Sequence, residues 1–588
     1  MQFLSDFILS FRSLNIYLKL FFVASFIIGS WARYQNLFNL GYYFDMVETQ
    51  FTWGRGAFTD GVFGFWQNYP MAKHYDYPPI SLIYEYFVYA LAKVFSGDIT
   101  QNFVTILKSV NWLFDLILTL FIVAFGNFLR DHKLTSKNSL NPQSLGWILA
   151  GFFYAIPSSW FVSGVWGQND TLMILITLVC LFILVAQGFF ENWKLPFLDQ
   201  IKNSHNLFSN PYFWSGFILA IGFWIKQQPI LLLPILGLIF MNKKGEHGIP
   251  KNKDVFTAIA WVLPIILSFA VLGLFYTEIP IQFSNPFNSF TTNFGFNYPV
   301  ISSWGILANL GTLLVFIIPF TILVYFQFWD LKKEQIGSKT STWFELRKFL
   351  LGFWLVSTII AIPFVISNYQ RFARVTLAAV IRGDSIANGA TTFWGIFVHL
   401  KSANDLVLGF GGKGLSVRNA ALIIYLVLVG FLLFRYLNLD FKKLKTWDLS
   451  VIFAHKLNLF QLLAIMWVHT TSYFLFFPNM HSRYLHFGVI YSLFVTFFIP
   501  LKKPLIASLW IVGLLILNIF YALNGFLVFG VNNDSPIWVR NFIELFTTGG
   551  RNIDAWWLSS VGIFVSFVIM YTALILADIW DKKSPVQN

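Results

Sequence analysis

The stretch Trp166-Gly167-Gln168-Asn169-Asp170, followed by TLMILITLVCLFILVAQGFF (171–190), decides the fold. Its uncharged part is twenty residues long. As a helix it would rise about 30 Å, the thickness of a bilayer's hydrocarbon core. Gln, Asn and Asp at one end are costly in lipid, so they mark a rim. Comparable runs recur from Ile16 to Ile579, in a chain of 588 residues that is 57% hydrophobic and 11% charged. Soluble domains carry roughly 25% charge. In lipid every backbone polar group must be paired internally, which selects helices here. The expectation is an all-α polytopic membrane protein. About fourteen spans are predicted: 16–33, 104–128, 146–163, 171–190, 213–225, 229–241, 255–276, 304–327, 348–366, 419–436, 457–476, 484–499, 504–524 and 556–579.

Basic residues follow the even-numbered runs. They are Arg130, Lys133 and Lys137, then Lys243, Lys244, Lys251 and Lys253, then Lys332, Lys333 and Lys339, then Lys442, Lys443 and Lys445, then Lys502 and Lys503, and finally Lys582 and Lys583. The positive-inside bias makes these loops and both termini cytoplasmic. The net charge of +13 is read as that bias, not as a nucleic-acid surface. Residues 79–95 are apolar enough to span, but counting them would reverse the side of everything downstream. A re-entrant or interfacial helix is expected instead, with a Pro-Pro start and a Ser96-Gly97 end. Long outer loops then cover 34–102, 277–303, 367–418 and 525–555.

The single cysteine, Cys180, lies within a predicted span, which excludes an intrachain disulfide. Residues 1–15 lack a signal-peptide pattern, so the first span is expected to stay as an anchor. No Walker motif, dinucleotide fingerprint, metalloprotease pattern or internal repeat is visible. No cofactor and no metal are expected.

Five polar clusters fall on the outer face: Asp45 to Glu48, Asp76-Tyr77-Pro78-Pro79, Trp166 to Asp170, Lys226-Gln227-Gln228-Pro229, and His481-Ser482-Arg483-Tyr484. Convergence on one face points to one site built from many loops. Asp45, flanked by aromatics, suits a base that takes a proton from a hydroxyl, or is a solvated loop acid. Asp76 orients a substrate or caps the helix that follows its prolines. Gln168 and Asp170 offer hydrogen-bonding groups, and Asp170 can equally cap the next span. Lys226 is either an intramembrane functional cation or a snorkelling one. With His481 and Arg483 it forms a candidate anion site, unless Arg483 only anchors a helix at the headgroups.

A lone acid and separate cations suit one reaction. An acceptor hydroxyl attacks a sugar whose leaving group is a lipid phosphate. The acid takes the proton, and the cations stabilise charge on the departing phosphate. Phosphate leaves unprotonated, so the acidic carboxyl of a glycosidase is unnecessary.

Asp45 after the first span, Asp76-Tyr-Pro-Pro79, Trp166-Gly-Gln-Asn-Asp170, Lys226-Gln227 and His481-Ser-Arg-Tyr-Leu485 occur in an order that resembles the C-type (GT-C) integral membrane glycosyltransferases. The chain is similar to the dolichyl-phosphate-glucose glucosyltransferases and to prokaryotic relatives of the second mannosyltransferase of GPI-anchor assembly. The resemblance covers about residues 16–500. It implies a shared N-terminal module (1–330) and a variable C-terminal one (331–588). It also implies inverting transfer of a hexose from a polyprenyl-phosphate donor to a glycan or lipid-linked acceptor on the outer or lumenal face. Asp45 then matches the general base, and His481 and Arg483 match the element near the donor phosphate. Lys226 is placed by its Lys-Gln match, and Glu48, Asp76, Tyr77, Trp166, Gln168, Asp170 and Gln227 fall among the substrate-orienting residues. Ser482 stands where the relatives often have Glu. Residues 284–304, with Asn285, Asn288, Asn293 and Asn297, loosely resemble the family's mobile outer loop.

Two rivals remain. A transporter or flippase predicts charges deep within several spans. A polysaccharide polymerase or ligase would use a lipid-pyrophosphate donor and a basic outer loop, for which Arg371, Arg374, Arg382 and Arg418 are available. A prokaryotic plasma membrane is the expected location, with the endoplasmic reticulum as alternative.

Overall fold

The structure is a computed structural model that describes residues 2–40, 44–68, 77–134, 140–185, 207–241, 313–314, 316–327, 344–381, 392–396, 406–410, 413–437, 457–477, 484–529 and 552–583. Predicted span 255–276, outer loop 277–303, Asp76, His481 and Arg483 lie outside the described residues.

A short helix, α1 (Gln2–Arg12), leads into α2 (Ile16–Leu37). Asn15 caps α2 by accepting the Leu18 amide, as Asn does at this position. Small and polar residues of α2, namely Ser25, Gly29, Ala32, Arg33 and Asn36, are buried, while Ile16, Leu20, Ile27 and Ile28 are exposed. That inside-out pattern suits a helix whose solvent is lipid. Next come α3 (Thr52–Asp60), α4 (Val62–Asn68) and α5 (Pro79–Ala92). Pro78 occupies the N-cap of α5, with no side-chain cap bond. The 14 residues of α5 rise about 21 Å, which places it among the shorter apolar helices.

The 33-residue α6 (Ile99–Asp131) packs against α7 (Pro142–Ala155). Predicted span 146–163 is broken. α7 ends before Pro157, and Pro157–Trp166 continues at 52°, beginning with α8 (Pro157–Trp160). Proline removes a helix hydrogen bond and clashes with the preceding turn. Then follow α9 (Asp170–Val185), α10 (Pro211–Ile225), α11 (Leu233–Met241), α12 (Phe316–Gln327) and α13 (Phe344–Ile381). α10 and α13 meet backbone to backbone. A Cβ on Gly216 would fall 2.0 Å from the Phe349 carbonyl oxygen, and one on Gly352 2.1 Å from that of Phe213.

A hairpin of β1 (Leu406–Phe410) and β2 (Lys413–Ser416) precedes α14 (Val417–Leu437). It lies in the predicted outer loop 367–418, where the sequence reading placed no strand. The chain continues as α15 (Leu459–Phe476), α16 (Leu485–Thr496), α17 (Pro504–Phe529) and α18 (Asn552–Lys583). Among the described residues, seven helices are long and apolar enough to cross a membrane, or eight if the bent pair at Pro157 counts as one span. The protein is therefore a multi-pass, essentially all-α membrane protein. The Phe125 ring meets those of Phe182 and Phe494 in tilted pairs, with centroids at 4.9 and 5.2 Å, joining α6, α9 and α16.

Candidate functional site

Asp45 stands on a π-helical segment, Phe44–Phe51, just beyond the end of α2, and is half-buried. Such widened turns are frequent at functional sites. Its Oδ2 accepts the Trp166 indole Nε1–H at 2.8 Å and the Gln168 Nε2–H at 3.2 Å. Trp166 ends a second π-helical segment, Phe161–Trp166, and Gln168 lies in the turn from it into α9.

Gly167 makes that turn possible in two ways. Its φ of 75° is left-handed, a region that costs other residues strain. A Cβ there would also lie 2.4 Å from Met46 Cε, because Met46 packs directly on the glycine. Asn111 of α6 donates to the Gly167 carbonyl at 2.7 Å.

Lys226 follows the last residue of α10. Pro229 cannot continue that helix, and Lys226 turns to extended geometry with φ −156° and ψ 137°. The lysine is 4% exposed and does not snorkel. Its ammonium is ion-paired with Asp170 and also donates to Gln168 Oε1 at 3.2 Å and Asn169 Oδ1 at 3.4 Å. It lies 5.6 Å from the centroid of the Tyr77 ring, within cation–π reach. The Tyr77 hydroxyl donates to Gln168 Oε1 at 3.4 Å. Asp170 is the first residue of α9, where the helix dipole also favours its negative charge.

Four of the five sequence clusters thus meet at helix ends, through Asp45, Tyr77, Trp166 to Asp170, and Lys226. Two predicted residues stand apart: Glu48 is exposed, and the Gln227 amide turns to the Val375 carbonyl of α13.

A second polar centre lies against the first, and the sequence reading missed it. Arg33 of α2 and Asp115 of α6 form an ion pair at 2.7 Å with side chains 1% and 0% exposed. Asp115 also accepts the hydroxyls of Ser163 and, at 2.8 Å, Thr171. Arg33 reaches the Ser159 hydroxyl at 2.6 Å and the Tyr154 carbonyl at 2.8 Å. Thr171 touches His486 Nε2 of α16 at 3.3 Å. Adjacent residues of α9 therefore serve the two centres, Asp170 toward Lys226 and Thr171 toward Asp115. The available signal was helical spacing. Lys108, Asn111 and Asp115 occur at i, i+3 and i+7 within the predicted span 104–128, where polar groups are costly.

On α5, Glu85 is 1% exposed; its Oε1 accepts the Ser81 hydroxyl at 3.2 Å, and its Oε2 meets no partner among the described residues. Burial pushes this carboxyl well above the usual carboxylate range, against a smaller opposing effect of the Ser81 bond. Among the described residues, no three His, Cys, Asp or Glu side chains gather as a metal set.

The arrangement can hold a carboxylate in one orientation beside a charge-compensated cation. Comparison with protein-family models and with curated proteins finds no match for the chain. Fold and site define the class, a multi-pass helical membrane protein with a polar centre at the ends of its helices.

Proposed function

We propose that the chain is an inverting glycosyltransferase of GT-C type. It moves a hexose, mannose or glucose, from a polyprenyl phosphate to a hydroxyl of a lipid-linked glycan. The observation that carries this reading is the Asp45 carboxylate, partly open and oriented by the Trp166 and Gln168 N–H groups. In the step, the acceptor oxygen bonds to the sugar's anomeric carbon as the bond from that carbon to the phosphate oxygen breaks. Asp45 takes the acceptor's proton, and polyprenyl phosphate departs as the anion. Lys226 is offset by Asp170, so it meets the phosphate only by sharing its ammonium. His481 and Arg483 then carry the larger part of that role.

The reading includes fourteen spans, a re-entrant or interfacial α5, and a site on the non-cytosolic face, where the basic loops are absent. A prokaryotic plasma membrane is its proposed home. Purified protein should transfer hexose from a polyprenyl-phosphate donor, and Asp45→Asn should not. Full activity in that variant overturns the assignment of the base.

The buried pairs Arg33–Asp115 and Lys226–Asp170 favour a second reading, a carrier of a lipid-linked solute. Uptake into proteoliposomes without sugar transfer would select it. Offering pyrophosphate-linked and phosphate-linked donors side by side separates a polymerase from the transferase.

A further inference from the structure

Lys108 and Asn111 lie one turn apart on one stripe of α6, and each is 1% exposed. Lys108 Nζ donates to the Asn36 carbonyl at 2.8 Å and the Asn39 carbonyl at 2.6 Å. These carbonyls belong to the last turn of α2 and the residues just beyond it, and that of Asn36 also accepts the Phe38 amide and, at 3.3 Å, the Asn39 amide. Among the described residues no carboxylate pairs with Lys108. A buried ammonium without an anion is costly, so its placement at these two acceptors needs a compensating use. The lysine's stem also runs beneath the turn that holds Asp45. A Cβ on Gly167 would lie 3.5 Å from Lys108 Cγ, with Met46 against the same glycine. One turn on, Asn111 donates to the Gly167 carbonyl at 2.7 Å. A single rigid helix therefore grips both chain segments that build the acid. One is the end of α2, which feeds the Asp45 segment; the other is the turn bearing its two donors.

We infer that Lys108 and Asn111 are positioning residues for Asp45, acting through the end of α2 and through Gly167. The inference uses the glycosyltransferase reading only for its effect on turnover. The test is hydrogen exchange on the full-length protein in detergent, alongside transfer kinetics from a polyprenyl-phosphate hexose. Lys108→Met should speed exchange in residues 44–51 about tenfold, and Asn111→Leu should do so in 162–169, while α15 and α16 stay unchanged. Transfer kcat should fall about tenfold or more in both, with KM for the donor within about twofold. Unchanged exchange in both segments overturns the inference, as does a rise spread evenly over the chain. Local exchange with undiminished kcat overturns it too. Should Lys108→Met fail to fold, Asn111→Leu carries the test alone, since it removes one hydrogen bond. If the unaltered protein transfers no sugar from any donor, the glycosyltransferase reading falls, and the exchange result still decides whether Lys108 and Asn111 hold Asp45.

Discussion

The Asp45 carboxylate and the Lys226 ammonium share one amide. Gln168 gives its N–H to Asp45 and its oxygen to Lys226, each at 3.2 Å. The amide cannot be reversed without turning its oxygen on a carboxylate and its N–H group on an ammonium. Gln168 is 1% exposed, so water cannot substitute for either bond. The acid and the cation are thereby kept in fixed relation through a residue that carries no charge.

Gln168→Glu should be more damaging than Gln168→Leu. The leucine removes three bonds, to Asp45, Lys226 and Tyr77, whereas the glutamate sets a second carboxylate against Asp45. Transfer should drop about 10-fold for leucine and about 100-fold or more for glutamate, on the scale typical of lost acid–base or oriented groups. Initial rates on protein of equal folded fraction check this; equal rates for both would refute it.

Lys226→Met removes the ammonium ion-paired with the buried Asp170 carboxylate. Breaking one side of such a pair costs about 3–5 kcal/mol, while removing both sides costs much less. The double variant Lys226→Met, Asp170→Asn should therefore melt closer to the unaltered protein than Lys226→Met does. Thermal unfolding in one detergent measures both.

Asp115→Ala should be the most destabilising single change in the second centre. It leaves Arg33, 1% exposed, without its carboxylate and frees the Ser163 and Thr171 hydroxyls. A loss of about 3–5 kcal/mol is expected, with Asp115→Asn milder because it keeps acceptors. Denaturant titration of the purified protein gives the ranking.

Glu85 predicts a dependence on pH. Its carboxyl is raised in the folded protein by burial. The neutral form is favoured on folding, so its contribution is intact below the unfolded carboxylate range. Stability is then lost as pH rises from there through the raised folded value. Glu85→Gln, which stays neutral, should flatten that alkaline decline. Melting temperatures of both proteins from pH 4 to pH 9, the span set by about the ordinary Glu value and upward, decide it; parallel curves would remove Glu85 from the account.

Much of the fold was legible because lipid makes strong demands. The runs at 16–33, 419–436, 457–476 and 504–524 correspond to α2, α14, α15 and α17. Trp166 to Asp170 and Lys226 stood out as polar groups bordering apolar runs, and they do meet. The inner centre escaped notice because Arg33, Lys108 and Asp115 are single charges within predicted spans, and their partners on other elements lie 48 to 126 residues away along the chain. Pairing at that range depends on which helix faces which, and no local pattern encodes that. The two π-helical segments were equally hidden, since stretches of eight and six residues are too short for a change of period to be read from hydrophobic spacing. Gln227 was expected among the substrate-orienting residues beside Lys226, yet adjacent residues in an extended stretch point opposite ways.

The break at Pro157 leaves α7 with terminal carbonyls that no following amide can reach, and Arg33 occupies the one on Tyr154. The proline and the arginine therefore form a lock and its key. A descendant of this chain that straightened the break at Pro157 would take back that carbonyl for its own helix, leaving Arg33 to Asp115 alone as its charged partner.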